Sequence, residues 1–307
     1  MKKIIISGGY GFLGRNLIEY CLDNRKEVQI FAIARHMPQV DYPVVTVLDD
    51  LSDAEKLAIK LKQAGAENAD AFFHTAWNGV APQHKGNIDV QLSNIRSGVS
   101  ALEACNRIGC ARFINIGTVA EYVEVTDLIS ADCKPCPGDM YGATKVAMHY
   151  ILESYARMLH QPYVKAILAS TYGEYRNDDN VISYTIKSLL TGVTPSYGSL
   201  QQIWDFIYVK DAAKALCLIA EKGISGKIYG IGSGNYAPLK SYICAIKDSI
   251  DPSLKLEIGA KEDKYKKILN SCVNNFALQQ DTGFVPDYSF SDGIQRTIAY
   301  FQKEMGL

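Results

Sequence analysis

A glycine run near the amino terminus constrains this chain more than any other feature. Gly8-Gly9-Tyr10-Gly11-Phe12-Leu13-Gly14 follows a short aliphatic run, Lys2 to Ser7, and leads into a helical pattern that begins at Phe12. Strand, glycine loop and helix in that order leave little choice of geometry. Gly8 can supply the tight turn, Gly11 can let backbone approach a bound pyrophosphate, and Gly14 can let the helix pack close to the strand. The exposed N–H groups and the positive dipole end of the helix then favour an anion. The spacing G-x-x-G-x-x-G in this context predicts a dinucleotide site.

The same rhythm continues. Apolar runs at Val28–Ala34, Val44–Leu48, Ala71–Thr75, Arg112–Ile116 and Tyr163–Leu168 read as buried strands. Between them, Asp53–Ala64, Ile88–Ile108 and Tyr141–Leu159 have helical spacing. Strands alternating with helices imply parallel crossovers and an α/β, doubly wound parallel sheet. After Tyr172-Gly173 the segments shorten and become richer in Gly, Ser and Tyr, starting with the polar stretch Asn177-Asp178-Asp179-Asn180. This predicts a dinucleotide-binding domain over 1–170, with a segment near 204–222 returning to it, and a smaller lobe, mainly 171–307, for substrate.

Bulk properties narrow the partners. With 32 Lys plus Arg against 33 Asp plus Glu, the formal charge is −1, which provides no field to gather nucleic acid or anionic membrane. The first apolar run breaks at Ser7, so no secretory leader is expected. No stretch approaches the ~18 apolar residues of a membrane span, and a cytoplasmic setting is expected. Eight cysteines are scattered, and Cys133-Lys-Pro-Cys136 lacks the second ligand pair that a zinc site would want, so no metal is expected.

The end of the second strand should select the cofactor. Where an acidic residue would bond the 2′-hydroxyl of NAD, the chain has Ala34-Arg35-His36. Arg35 can pair with a 2′-phosphate, with Arg15 assisting, so NADP is expected and NAD is the alternative. Asp50 and Leu51 should lie by the adenine. Thr75 and Ala76 should lie along the cofactor toward the nicotinamide. His74 reads as a packed histidine.

Tyr141-Gly-Ala-Thr-Lys145 puts a phenol and an ammonium on one helical face. A free phenol titrates near 10, and a neighbouring ammonium is expected to lower that value. Pro135, Pro137 and Gly138 put Tyr141 at the helix entrance. Thr118, expected just past the Phe113–Ile116 strand, offers a hydroxyl to the same substrate oxygen.

Together, Gly8–Gly14, His74-Thr-Ala-Trp77, Gly117-Thr-Val-Ala-Glu-Tyr122, Tyr141–Lys145, Tyr172-Gly173 and Trp204-Asp-Phe-Ile-Tyr-Val-Lys-Asp211 resemble the extended short-chain dehydrogenases/reductases, which act on nucleotide-linked sugars. The resemblance implies a Rossmann-type domain with a smaller C-terminal substrate-binding lobe. It implies Thr118, Tyr141 and Lys145 as the catalytic set. Gly8, Gly11, Phe12, Leu13, Gly14, Arg35, Asp50, Leu51, Thr75, Ala76, Tyr141 and Lys145 would hold the cofactor. Trp77, Arg176, Asn180 and Val181 would face the nucleotide-sugar. Asn94, on the helix after the fourth strand, more plausibly serves helix packing or backbone. A homodimer formed through helices including the one bearing Tyr141 is also implied.

Departures from the family pattern refine this picture. Members that dehydrate the sugar carry Asp-Glu after the catalytic Thr, whereas this chain has Val119-Ala120, and Glu121, offset by one, should point elsewhere. Trp204 replaces an arginine common in the family. The Gly117-Thr-x-x-Glu-Tyr122 and Trp204-Asp-Phe variants resemble the branch that includes reductases of nucleotide-linked 4-keto-6-deoxy sugars, such as those making CDP-abequose or dTDP-fucose for surface polysaccharides. The rivals are an NAD-dependent 4-epimerase and a non-enzymatic NADP-sensing regulator, against which the intact Thr-Tyr-Lys set argues.

Overall fold

A computed structural model describes residues 1–25, 27–80, 84–123, 125, 127–176, 180–263 and 272–307. Of the expected polar loop at 177–180, residues 177–179 lie outside the described residues, and Asn180 caps the helix that follows. The chain runs β1 (Lys3–Ser7), α1 (Phe12–Asn24), β2 (Gln29–Ala34), β3 (Val45–Leu48), α2 (Ala54–Gln63), β4 (Ala71–His74), α3 (Ile88–Arg107) and β5 (Phe113–Thr118). A 3-10 turn, Val119–Glu121, leads to α4 (Met140–Met158), β6 (Tyr163–Leu168), β7 (Ser170–Tyr172), α5 (Val181–Leu190), β8 (Ser196–Tyr197), β9 (Ile203–Tyr208) and α6 (Val209–Lys222). The remainder is β10 (Ile228–Ile231), β11 (Tyr236–Pro238), α7 (Leu239–Ile250), β12 (Glu257–Ile258), α8 (Phe276–Thr282) and α9 (Phe290–Met305).

Seven of these strands form a parallel sheet in the order β10-β6-β5-β4-β1-β2-β3. Its strands are mostly apolar, with few polar residues, because both faces are covered. Ile4 and Ile6 face one core, and Ile5 faces the other. Strand order reverses between β1 and β4, and at such a switch the crevice beyond the carboxyl ends of the strands binds ligands. The glycine loop and Thr75–Trp77 both emerge there.

A second unit gathers the three-stranded sheet β11-β9-β7, the pair β12-β8, and α5, α7 and α9 around an aromatic core that includes Tyr172, Phe206, Tyr208 and Tyr242. The chain returns to the large sheet later than expected. β9 belongs to the smaller sheet, whereas α6 packs on α1 and β10 pairs with β6, so the return runs over 209–231 and not 204–222. β10 (Ile-Tyr-Gly-Ile) is too short and too interrupted to announce itself as a core strand. Among the described residues, no helix is long and apolar enough to cross a membrane.

Candidate active site

The glycine loop is built by backbone. Gly8 has φ +68°, and a Cβ there would come within 2.8 Å of the Ala76 Cα. A Cβ on Gly14 would collide with the Gly8 carbonyl oxygen, so α1 can lie this close to the loop only without a side chain. Gly11 caps α1 with no side-chain hydrogen bond, and the first turn holds no acidic residue. The helix N–H groups are thus left for an anion.

A cleft of about 490 Å³ opens over this loop. Gly8, Gly11, Phe12 and Leu13 line its centre, and Arg35, Asp50 and Leu51 line one end. Thr75, Ala76 and Trp77 line the other. Gly14 lies under the loop. Tyr10, Asp49 and Asn78 also face the cleft and were not singled out from sequence, since each is an ordinary loop or strand-end residue without a pattern. The side-chain-free cradle, the open helix terminus and the elongated cleft fit a nicotinamide dinucleotide.

Several side chains resolve into simple roles. Arg35 is exposed and makes no hydrogen bond or ion pair among the described residues. Arg15 does not join it: its guanidinium stacks 3.8 Å from the Tyr175 ring centroid and does not line the cleft. One helical turn from the loop, its long side chain reaches the apolar cover of an aromatic ring in preference to the distant end of β2. His74 is buried with Nδ1 2.9 Å from Ser7 Oγ, and burial pushes it down to about 3, so it stays neutral. Asn94 accepts from the Asn78 N–H at 2.8 Å and donates to its carbonyl at 2.9 Å, clamping backbone at the cleft wall.

Thr118, Tyr141 and Lys145 are brought together where β5 ends. Thr118 is the last residue of β5, two residues beyond the expected end of the strand. The Asp139 side chain caps α4 by accepting from the Gly142 N–H at 2.8 Å. A Cβ on Gly142 would collide with the Ala120 carbonyl oxygen, so this glycine lets α4 press against the 3-10 turn and bring Tyr141 to Thr118. Burial pushes the Tyr141 phenol up to about 12, and the nearby Thr118 hydroxyl opposes this in part.

The expected ammonium effect is absent. Lys145 Nζ donates to the Ile116 carbonyl at 2.8 Å and lies 3.8 Å from the Trp77 ring centroid. Burial pulls it down to about 7; Lys165 pushes the same way, and Glu121 opposes. Lys145 therefore does not hold the phenol acidic: helical spacing placed both groups on one face, but burial decides the titration of each. Tyr141 and Lys145 do not appear on the open lining of the cleft. Trp77 does, and it touches both, meeting Tyr141 edge-on with centroids 5.6 Å apart. Lys85 Nζ lies 5.0 Å from the Tyr141 ring centroid, a cation that nothing in its sequence context marks.

Toward the second unit, Arg176 donates to the Thr171 carbonyl and lies 5.3 Å from the Phe12 ring centroid. Asn180 caps α5, accepting from Ile182 and Ser183 N–H, and Val181 packs on the aromatic core. Trp204, at the position of the family's arginine, donates from Nε1 to Ser170 Oγ at 2.8 Å. Cys133 and Cys136 are free thiols. Among the described residues, no group of three or more His, Cys, Asp or Glu could hold a metal ion.

A doubly wound sheet with a glycine cradle at its switch point and a Thr-Tyr-Lys corner beside it defines an extended short-chain dehydrogenase/reductase. Residues 4–232 match the NAD dependent epimerase/dehydratase family, and the chain belongs to that family of oxidoreductase-type enzymes. It is 26% identical to the low-salt glycan biosynthesis protein Agl12 of Haloferax volcanii, over 97% of this chain and 98% of that protein. Among solved structures, it resembles a UDP-N-acetylglucosamine 4-epimerase from Methanobrevibacter ruminantium with TM-score 0.87 and 22% identity, covering 99% of each chain. It also resembles the dTDP-glucose 4,6-dehydratase DesIV from Streptomyces venezuelae, solved with NAD bound, with TM-score 0.86 and 20% identity, covering 99% of this chain and 98% of that one.

Proposed function

We propose that the chain is an NADP-dependent reductase of a nucleotide-linked 4-keto-6-deoxyhexose, acting in the synthesis of a surface-polysaccharide sugar. The observation that carries this reading is the Tyr141 phenol at the start of α4, kept protonated by burial, with Thr118 at the end of β5 beside it. A phenol pushed up to about 12 is a proton donor at neutral pH, which is the role that reduction of a carbonyl asks for. When bound, the dinucleotide supplies the hydride. Tyr141 gives its proton to the developing alkoxide, and Thr118 holds the same oxygen. Lys145, beside Trp77 and Tyr141, would orient the ribose of the bound dinucleotide.

Relatives named as dehydratases and epimerases support a nucleotide-sugar substrate without choosing the reaction. Val119 and Ala120 offer no acid–base pair after Thr118, which argues against 4,6-elimination. Arg35, exposed at one end of the cleft, supports NADP through its fit to a 2′-phosphate. The 1–170 portion would hold the cofactor and the 171–307 portion mainly the sugar nucleotide, with Trp77 and Arg176 nearest the join. Asn180 and Val181 would frame that side through the start of α5. Exposed apolar residues Tyr150, Ile151 and Met158 on α4 and Leu92 on α3 support a homodimer through these helices. A cytoplasmic setting belongs to the same reading.

The test is NADPH oxidation with a panel of CDP-, dTDP-, GDP- and UDP-linked 4-keto-6-deoxyhexoses. Consumption with one of them is expected. Interconversion of 4-epimers without net NADPH consumption would replace this reading by the NAD-dependent epimerase.

A further inference from the structure

Behind Thr118 lies a buried ion pair that the proposed chemistry does not use. Glu121 has no exposed surface, and Lys165, on β6, is 1% exposed. Lys165 Nζ donates to Glu121 Oε2 at 2.5 Å. The other carboxylate oxygen, Oε1, accepts from the Thr118 backbone N–H at 2.8 Å. The Thr118 hydroxyl in turn accepts from the Ala120 N–H at 3.3 Å, which closes a capping box around the 3-10 turn. Gly117 leaves room for this arrangement: a Cβ there would lie 2.8 Å from both Glu121 Oε1 and Lys165 Cε.

A buried ion pair is seldom a source of net stability, because the desolvation of both charges offsets their attraction. Its placement suggests a different use. The carboxylate grips Thr118, and Lys145 grips Ile116, so the last residues of β5 are bracketed from both sides. The bracket fixes the backbone that carries the Thr118 hydroxyl at the end of β5, and a shift of about 1 Å at a reacting group can cost about 100-fold in rate.

We propose that Glu121 and Lys165 form a positioning pair for the Thr118 hydroxyl: the carboxylate orients the Thr118 backbone, and the ammonium orients the carboxylate. The proposal rests on the reductase reading for the identity of the reaction, and on the geometry alone for the placement of Thr118.

Two double variants separate positioning from charge and folding. E121Q/K165M keeps an oxygen able to accept from the Thr118 N–H, whereas E121L/K165M fills similar space without an acceptor; neither leaves a buried charge unpaired. Both should bind NADPH like the unaltered enzyme. E121Q/K165M should keep kcat within about threefold, while E121L/K165M should lose about 30-fold in kcat with KM for NADPH unchanged and a larger isotope effect from 4-deuterated NADPH. Equal kcat in the two double variants would overturn the proposal. Amide hydrogen exchange of the unaltered protein gives a second measurement that needs neither substrate nor variant. The Thr118 amide, bonded to a buried carboxylate, should be protected, and complete exchange within the mixing time would overturn the pair. If no keto-sugar in the panel consumes NADPH, the reductase reading fails, and the exchange result alone then supports or overturns the positioning pair.

Discussion

In the proposed reaction the glycine loop and the corner at the end of β5 would hold reacting groups still with opposite materials. The loop works by lacking side chains: the absent Cβ atoms of Gly8 and Gly14 let backbone close on backbone, and the helix N–H groups remain to face an anion. The corner works by burying side chains. Tyr141 and Lys145 are both shifted by burial, and Thr118 is held from behind by Glu121. A backbone site tolerates almost no added atom, whereas a side-chain site tolerates changes of shape but not of hydrogen bonding.

Experiments can press on this difference, beginning with the largest effect. Tyr141→Phe removes one oxygen and keeps the ring, and should lower kcat by about 10²–10⁴-fold while NADPH affinity and melting temperature hold. A variant with unchanged kcat would remove the phenol from the chemistry. Gly14→Ala adds a methyl against the Gly8 carbonyl; overpacking of about 1–3 kcal/mol should weaken NADPH binding about 5- to 150-fold, read by fluorescence titration. Arg35→Ala, at the open end of the cleft, should weaken NADPH by about 10-fold and leave NADH almost unchanged, since one charge-assisted contact is lost. Equal loss for both cofactors would argue for NAD.

The pH profile tests the corner more finely. Lys145, brought down to about 7 by burial, carries its charge below that pH and loses it above. kcat/KM should therefore fall as pH rises through about 7, and Lys145→Met should abolish that step. Tyr141, at about 12, should contribute no break below that range. The smallest expected effect is optical. The chain has two tryptophans, so in Trp204→Phe the emission comes from Trp77, which lines the cleft and touches both Tyr141 and Lys145. NADPH should quench it, and an unchanged spectrum would move the nicotinamide end away from Trp77.

The amino-acid sequence by itself determined the parallel sheet, the places of its first six strands along the chain, the cradle and the identity of the three corner residues. These depend on local properties: aliphatic runs of strand length, glycines where no Cβ fits, and a four-residue helical spacing. Only the tertiary structure decided what those residues can do. That Lys145 faces Ile116 and Trp77, that Arg15 lies under Tyr175, and that Glu121 meets Lys165 all depend on contacts between segments distant in the chain. The titration of Tyr141 and Lys145 follows from how much of the fold closes over them, and burial of that kind arises when β5, β6 and α4 pack together.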